Sequence, residues 1–153
     1  MRPGNGSTAT LERFVEQWQR LRSASAQPGT VVLVEGERDR RAVRRLGLPG
    51  AVETLHAGRS LSETAHALVR HGRRIVVLTD WDNEGGHLAH RIGDFLKAER
   101  LELDLDTRRR LALILRGELV HVEGLYGWAR RLAESAGESI EQRLDDGDES
   151  PTG

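Results

Sequence analysis

Two short runs of mostly β-branched apolar residues, Thr30-Val31-Val32-Leu33-Val34 and Ile75-Val76-Val77-Leu78-Thr79, each stop abruptly at a carboxylate. Runs of this length without polar alternation read as strands buried on both faces, the pattern of a parallel sheet. The first passes straight into Glu35-Gly36-Glu37-Arg38-Asp39, the second into Asp80-Trp81-Asp82-Asn83-Glu84-Gly85-Gly86. Open α/β sheets place ligands outside the carboxyl ends of their strands. With both strands parallel, the two acid-bearing turns lie at one edge of the sheet, and Glu35, Asp80 and Asp82 converge on one site. Carboxylates crowded at the mouth of a dry sheet repel unless a cation sits between them, and hard oxygen donors suit magnesium.

Other readings of the second turn compete with this one. Asp and Asn are common turn and helix-capping residues, so the loop also reads as an ordinary cap. The spacing Asp80, Asp82, Glu84, Gly85 imitates an EF-hand, but the twelfth position, which needs a bidentate Glu, is Arg91. The Asp-x-Asp after a strand also resembles phosphatases of the haloacid-dehalogenase type. Those need a downstream lysine, and the only lysine here, Lys97, follows the loop too closely.

The chain has 153 residues, which suits one domain with a core of its own. It has no cysteine, so neither disulfides nor thiolate metal sites are available. No apolar run approaches ~20 residues and no signal peptide is evident, so the sequence predicts a soluble, cytoplasmic protein with no membrane association. The net charge of −1 hides an asymmetry. Residues 134–153 carry −6, while the remainder carries +5, with arginine supplying nearly all its bases. Arginine pairs with phosphate in a bidentate way, which permits a nucleic-acid partner; a compositional preference for arginine over lysine explains the bias equally well.

In chain order, Leu11, Phe14, Val15, Trp18 and Leu21 recur at helical spacing and predict an amphipathic helix that covers the sheet or, alternatively, meets a protein partner or a second copy. Asp39 is placed to cap a helix over residues 40–46, closed by Gly47. A weaker strand covers 51–55, and Ser60-Leu61-Ser62-Glu63 is a capping box opening a helix to about residue 70. Residues 87–99 are helical by pattern, 101–105 read as an edge strand, and Asp106 is placed to cap a helix carrying Arg108, Arg109 and Arg110. Residues 119–122 look extended, and 125–132 form a last short helix. The fold class is therefore α/β, a three-layer domain around a mainly parallel sheet of about four strands. We divide it into an N-terminal helical extension (1–29), the α/β domain (30–133) and an acidic C-terminal tail (134–153). Residues 1–7 are expected to be mobile, and 150–153 disordered.

Val31-Val32-Leu33-Val34-Glu35-Gly36 followed by Val76-Val77-Leu78-Thr79-Asp80-Trp81-Asp82-Asn83-Glu84-Gly85 resembles the signature of the Toprim domain family, Rossmann-like domains of topoisomerases, primases and repair or RNA-maturation nucleases. Asp39 and Gly58 also match positions the family favours. The resemblance covers roughly residues 30–99, and the whole chain looks most like the small stand-alone archaeal Toprim proteins. It implies magnesium-dependent phosphoryl transfer on nucleic acid, RNA or DNA, with Glu35, Asp80 and Asp82 holding one or two Mg2+ ions, for which Mn2+ substitutes. It also implies general acid or base work for Glu35. The sole tyrosine, Tyr126, lies outside the motif region and the chain has no second domain, which argues against topoisomerase activity. A hydrolytic nuclease of the RNA-processing or DNA-repair type needs the least further protein. The alternative is a non-catalytic metal- and nucleic-acid-binding module, or a subunit of a larger processing complex.

Accessory residues follow from position. Glu84 is either a further acid at the metal or a first-turn acid favoured by the helix dipole. His87 and His90, three apart on one helix, are candidates for a ligand, a phosphate contact or a proton shuttle. Arg38, Arg59 and Arg91 are candidates for phosphate contact, though each also reads as a solvated charge. Arg108 to Arg110 either track a nucleic-acid backbone or form one polar helix face.

Overall fold

A computed structural model describes residues 5–55 and 58–146, with side chains from residue 8 onward. Helix α1 (Asn5–Ser25) leads into β1 (Thr30–Val34), α2 (Glu37–Arg45) and β2 (Ala51–Thr54). Helix α3 (Leu61–His71), β3 (Arg74–Val77), α4 (Asn83–Leu96) and β4 (Glu102–Asp104) follow. The chain then runs through α5 (Asp106–Ile114), a 3-10 turn (Val122–Gly124), α6 (Leu125–Ser135) and α7 (Ile140–Asp145).

All three strand pairings are parallel and the strand order is β2-β1-β3-β4. The register sets Val32 beside both Val52 and Val76, so the central strands align. Successive side chains alternate faces and divide the core in two. Val32, Val34, Val76 and Leu78 pack with α1, α2, α5, α6 and α7, while Val31, Leu33, Ile75 and Val77 pack with α3 and α4. This is the expected three-layer α/β architecture.

Leu11, Phe14, Val15, Trp18 and Leu21 of α1 are all buried, and Phe14 stacks on Trp18 and meets Trp128 edge-on. The apolar face of α1 is thus spent on this chain's own core rather than open to a partner. The acidic composition of 134–153 conceals a further core element: Ile140 and Leu144 of α7 are buried in the same cluster. Two well-placed apolar residues outweigh the surrounding charge, and Ser139 caps the helix by accepting from Gln142 N. The expected disorder of 150–153 lies outside the described residues; of the expected mobile segment 1–7, residues 1–4 do as well, and α1 begins at Asn5.

The capping box at Ser60 and Glu63 is present. Two other caps differ from expectation. Asp39 sits in the first turn of α2, buried, with its Oδ2 accepting from Gly36 N at 3.0 Å. Asp104, not Asp106, opens α5: its Oδ1 accepts from Asp106 N and Thr107 N, and its Oδ2 from the Thr107 hydroxyl and Arg74. An acceptor ahead of the helix reaches orphan amides that a first-turn residue cannot.

The chain leaves β1 through α2 toward β2 on one side, and leaves β3 through α4 toward β4 on the other. The strand order reverses between β1 and β3, and α2 and α4 lie on opposite faces of the sheet. The splay of chain at such a switch point opens a crevice at the carboxyl ends of the two strands.

Candidate metal centre

Both acid-bearing turns open into that crevice. Glu35, one residue beyond β1, accepts a hydrogen bond at Oε2 from the Asp80 amide at 2.7 Å, bridging the two strand ends. Asp80 Oδ1 accepts from Val122 N at 2.8 Å, and Asp80 Oδ2 lies 3.1 Å from His121 Nδ1. That nitrogen is also 3.7 Å from Asp82 Oδ2. Asp82 caps α4, its Oδ1 accepting from Gly85 N at 2.7 Å. One ligand atom each from Asp80, Asp82 and His121 fall within 4.8 Å of one another.

The backbone under the acids is held tightly. The buried Thr79 hydroxyl donates to Gly85 O at 2.7 Å. Arg108, reaching across from α5, donates through Nη2 to Asp80 O at 2.7 Å and through Nε to Thr79 O at 3.2 Å. Trp81, between the two acids, donates from its amide to Val120 O and from its indole to Leu119 O. These last two bonds bring residues 119–121 over the Asp loop and deliver His121 to it. A Cβ at Gly85 would stand 1.8 Å from Asp80 O, so only glycine lets α4 start this close to the turn.

The electrostatics favour a cation. Burial, with the charges of Asp80 and Asp39 behind it, pushes the Glu35 carboxyl up to about 7, against the Asp80 amide, which opposes the rise. Asp39 is raised for the same reasons, burial first, then Asp80 and Glu123. Burial draws Arg108 down while Asp82, Glu35 and Asp80 oppose it. His121 is raised by its hydrogen bond to Asp80 and the charges around it. Among the described residues, Glu35, Asp39, Asp80 and Asp82, with Glu123 beside them, therefore share this edge with the Arg108 guanidinium and the His121 imidazole. The donor set, carboxylate oxygens with one imidazole nitrogen, fits a divalent ion, and the nitrogen widens the choice beyond magnesium toward manganese and similar ions. The side chains of Asp80, Asp82 and His121 are 16%, 34% and 52% exposed, so an ion can enter from solvent.

The sequence-derived residues separate into two groups. Glu35, Asp80, Asp82 and Asp39 come together. Glu84 is exposed in the first turn of α4, and His87 is exposed one turn further on. His90 pairs with Asp94 at 3.4 Å along its own helix. Arg38 lies in the first turn of α2, near the edge that carries the acids. Arg59 lines a cavity with Gly29, Thr30 and Val31, at the amino end of β1, the wrong end of the strand for the acids. Arg108 points inward to main-chain carbonyls and is neither backbone-tracking nor an ordinary surface charge. His121 was not among the candidates: it follows Asp80 by 41 residues in an irregular segment, and no periodicity or spacing announces it.

The Toprim domain profile matches residues 30–114. The chain is 35% identical over 127 residues to a UPF0292 protein of Methanosarcina barkeri, covering 83% of this chain and 87% of that one. A UPF0292 protein of Thermococcus gammatolerans is 34% identical over 116 residues, covering 76% and 83%. A solved structure from Aquifex aeolicus superposes with a TM-score of 0.59 at 22% identity, covering 71% of this chain and 94% of that one. Paired acid-bearing strand ends, sheet order and sequence likeness agree, and the chain belongs to the Toprim domain family.

Proposed function

We propose that this chain is a divalent-metal-dependent phosphodiester hydrolase acting on nucleic acid, with Asp80 and Asp82 as metal ligands and Glu35 shared between the metal and proton transfer. The observation that carries the reading is the meeting of Glu35 and the Asp80-Trp81-Asp82 turn, from neighbouring strand ends, one hydrogen bond apart at the switch point. A bound Mg2+ or Mn2+ supplies positive charge for the attacking and leaving oxygens of the displacement. Glu35 sits near 7, in the range where a carboxylate both holds and releases a proton at neutral pH; a bound cation pulls that value down. Arg108 fixes the Asp80 carbonyl and so the direction of the Asp80 carboxylate. In this reading water is the nucleophile.

A second reading, a non-catalytic metal- and nucleic-acid-binding module, draws on the contact between His121 and both aspartates, which, when the imidazole is protonated, offsets part of their charge without an ion. The test pairs cleavage with melting. Purified wild type, Asp80→Asn and Glu35→Gln are given structured RNA, single-stranded DNA and duplex DNA with Mg2+, Mn2+ or chelator, and their melting temperatures are followed with the metal alone. Native-state metal binding stabilises the fold by mass action, by ~2.7 kcal/mol at a hundredfold excess over Kd, and so raises the melting temperature. We expect Asp80→Asn to lose that rise. Glu35→Gln should keep most of it while cleavage falls ~100-fold or more. Equal metal stabilisation of wild type and Asp80→Asn refutes the metal site. Metal stabilisation without turnover on any substrate leaves the non-catalytic module.

A further inference from the structure

Helix α2 and helix α6 lie side by side, and a cavity of about 290 Å3 between them is lined by Arg38, Arg41, Arg45, Arg130, Tyr126 and Glu123. Arg38, Arg41 and Arg45 fall at i, i+3 and i+7, one face of α2, over a rise of about 10 Å. All four arginines are exposed. None of the ion pairs among the described residues engages Arg38 or Arg41; Arg130 pairs with Glu134 at 3.9 Å and its guanidinium lies 6.0 Å from the centre of the Tyr126 ring. The Arg45 guanidinium lies 4.0 Å from the centre of the Tyr126 ring, which holds it in place.

The near end of the groove borders the metal centre. Arg38 is two residues beyond Gly36, and Glu123 is two beyond His121, which touches Asp80 and Asp82. Tyr126, which lines the groove, donates its hydroxyl to Glu141 of α7 at 2.6 Å; that bond first, and the Arg45 charge as a lesser contribution, hold the Glu141 carboxyl below its usual value.

We propose that the α2/α6 groove binds the phosphodiester backbone of a nucleic-acid strand and leads it into the centre at Glu35, Asp80 and Asp82. The inference rests on the reading of that centre as a nucleic-acid site, but it concerns binding alone. Guanidinium groups spaced along one helix face, with fork geometry toward phosphate, recognise a backbone without reading its sequence.

The experiment is fluorescence anisotropy in chelator, with no metal and no cleavage, using a short labelled single-stranded RNA and a DNA of the same sequence. Wild type is compared with Arg41→Ala/Arg130→Ala and with Arg70→Ala/Arg100→Ala. The second pair removes the same charge away from the groove, from the last turn of α3 and the connection between α4 and β4. Folding is checked by melting temperature, and exposed arginines leave the core untouched. We expect the groove pair to weaken binding roughly tenfold or more and to lower the salt slope by about 1.4, two single-strand phosphate contacts, while the second pair changes little. The strand that loses affinity, RNA or DNA or both, names the chemistry the groove accepts. Equal losses from the two pairs, or no loss from the groove pair, overturn the proposal. Because no metal is present, failure here leaves the metal centre standing, and failure of the metal test leaves this result standing.

Discussion

Replacing Gly85 by alanine tests whether the acid turn owes its shape to one close backbone approach. The new Cβ would lie 1.8 Å from Asp80 O and 2.6 Å from Asp80 C, and a real Cβ does not come within 3.0 Å. The Asp80 carbonyl or the start of α4 must therefore retreat by about 1 Å, in a core packed too tightly to absorb it freely. Overpacking of this kind costs about 1–3 kcal/mol. The same shift pulls Asp80 O from Arg108 Nη2 and loosens the bonds that Gly85 N and O make to Asp82 and Thr79. Charged hydrogen bonds are worth about 1.5–3 kcal/mol each, so partial loss brings the total to roughly 2–4 kcal/mol. For a chain of this size that is a fall of roughly 5–15 °C in melting temperature. Gly86 is the control. A Cβ there meets only Arg108 Nη2, at 3.6 Å, an ordinary contact, and a helical glycine replaced by alanine gains up to about 1 kcal/mol. Neighbouring substitutions should thus move stability in opposite directions in one urea titration. If Gly85→Ala and Gly86→Ala agree within ~0.5 kcal/mol, the close approach does not shape the turn and the argument fails.

Leu144→Ala should destabilise by about 2–5 kcal/mol, because Leu144 is buried in the main core cluster; a change within ±0.5 kcal/mol would mean α7 is only draped on the surface. Asp104→Asn should cost about 1–2 kcal/mol at neutral pH, read by denaturant titration across pH. Burial would raise the Asp104 carboxyl, but the Thr107 amide and hydroxyl and Arg74 outweigh it and hold it below its usual value. Its stabilisation is therefore present above the unfolded pKa of about 4 and is lost as pH falls through the lower folded value. The gap between wild type and Asp104→Asn should close in acid, and a constant gap would refute the charge's role. Trp81→Phe removes the indole bond to Leu119 O and should lower metal-induced stabilisation by loosening the segment that carries His121; an unchanged metal titration would show that His121 is placed independently.

The sheet was legible because a strand buried on both faces leaves an unmistakable apolar run, and because two such runs ending in acids leave little freedom for where those acids lie. Val31–Val34 and Ile75–Leu78 carried that information in themselves. His121 and Arg108 did not. Each reaches the centre through contacts between distant segments, Trp81 with Leu119 and Val120, Arg108 with the Asp80 carbonyl, and such contacts leave no periodic trace. Helix α7 was masked for another reason: composition averages over a stretch, and two buried residues among seven acids in 134–153 barely move the average. Arg59 was misplaced because sequence distance from a strand end says nothing about which way a long side chain turns.

Trp81 has a consequence for how this unit can be cut or moved. Its two bonds fasten the Asp loop to residues 119 and 120, and the Val122 amide completes the Asp80 carboxylate, all beyond residue 114, where the family match ends. A cassette trimmed to residues 30–114 would carry every acid of the motif yet lose the imidazole, the amide and α1, α6 and α7, three of the five helices packed on one face of the sheet. Grafted into another protein, or shuffled by recombination, that segment would arrive as an incomplete part. The smallest transplantable piece runs from α1 to α7, and the outer segments travel with the centre as inseparable cargo.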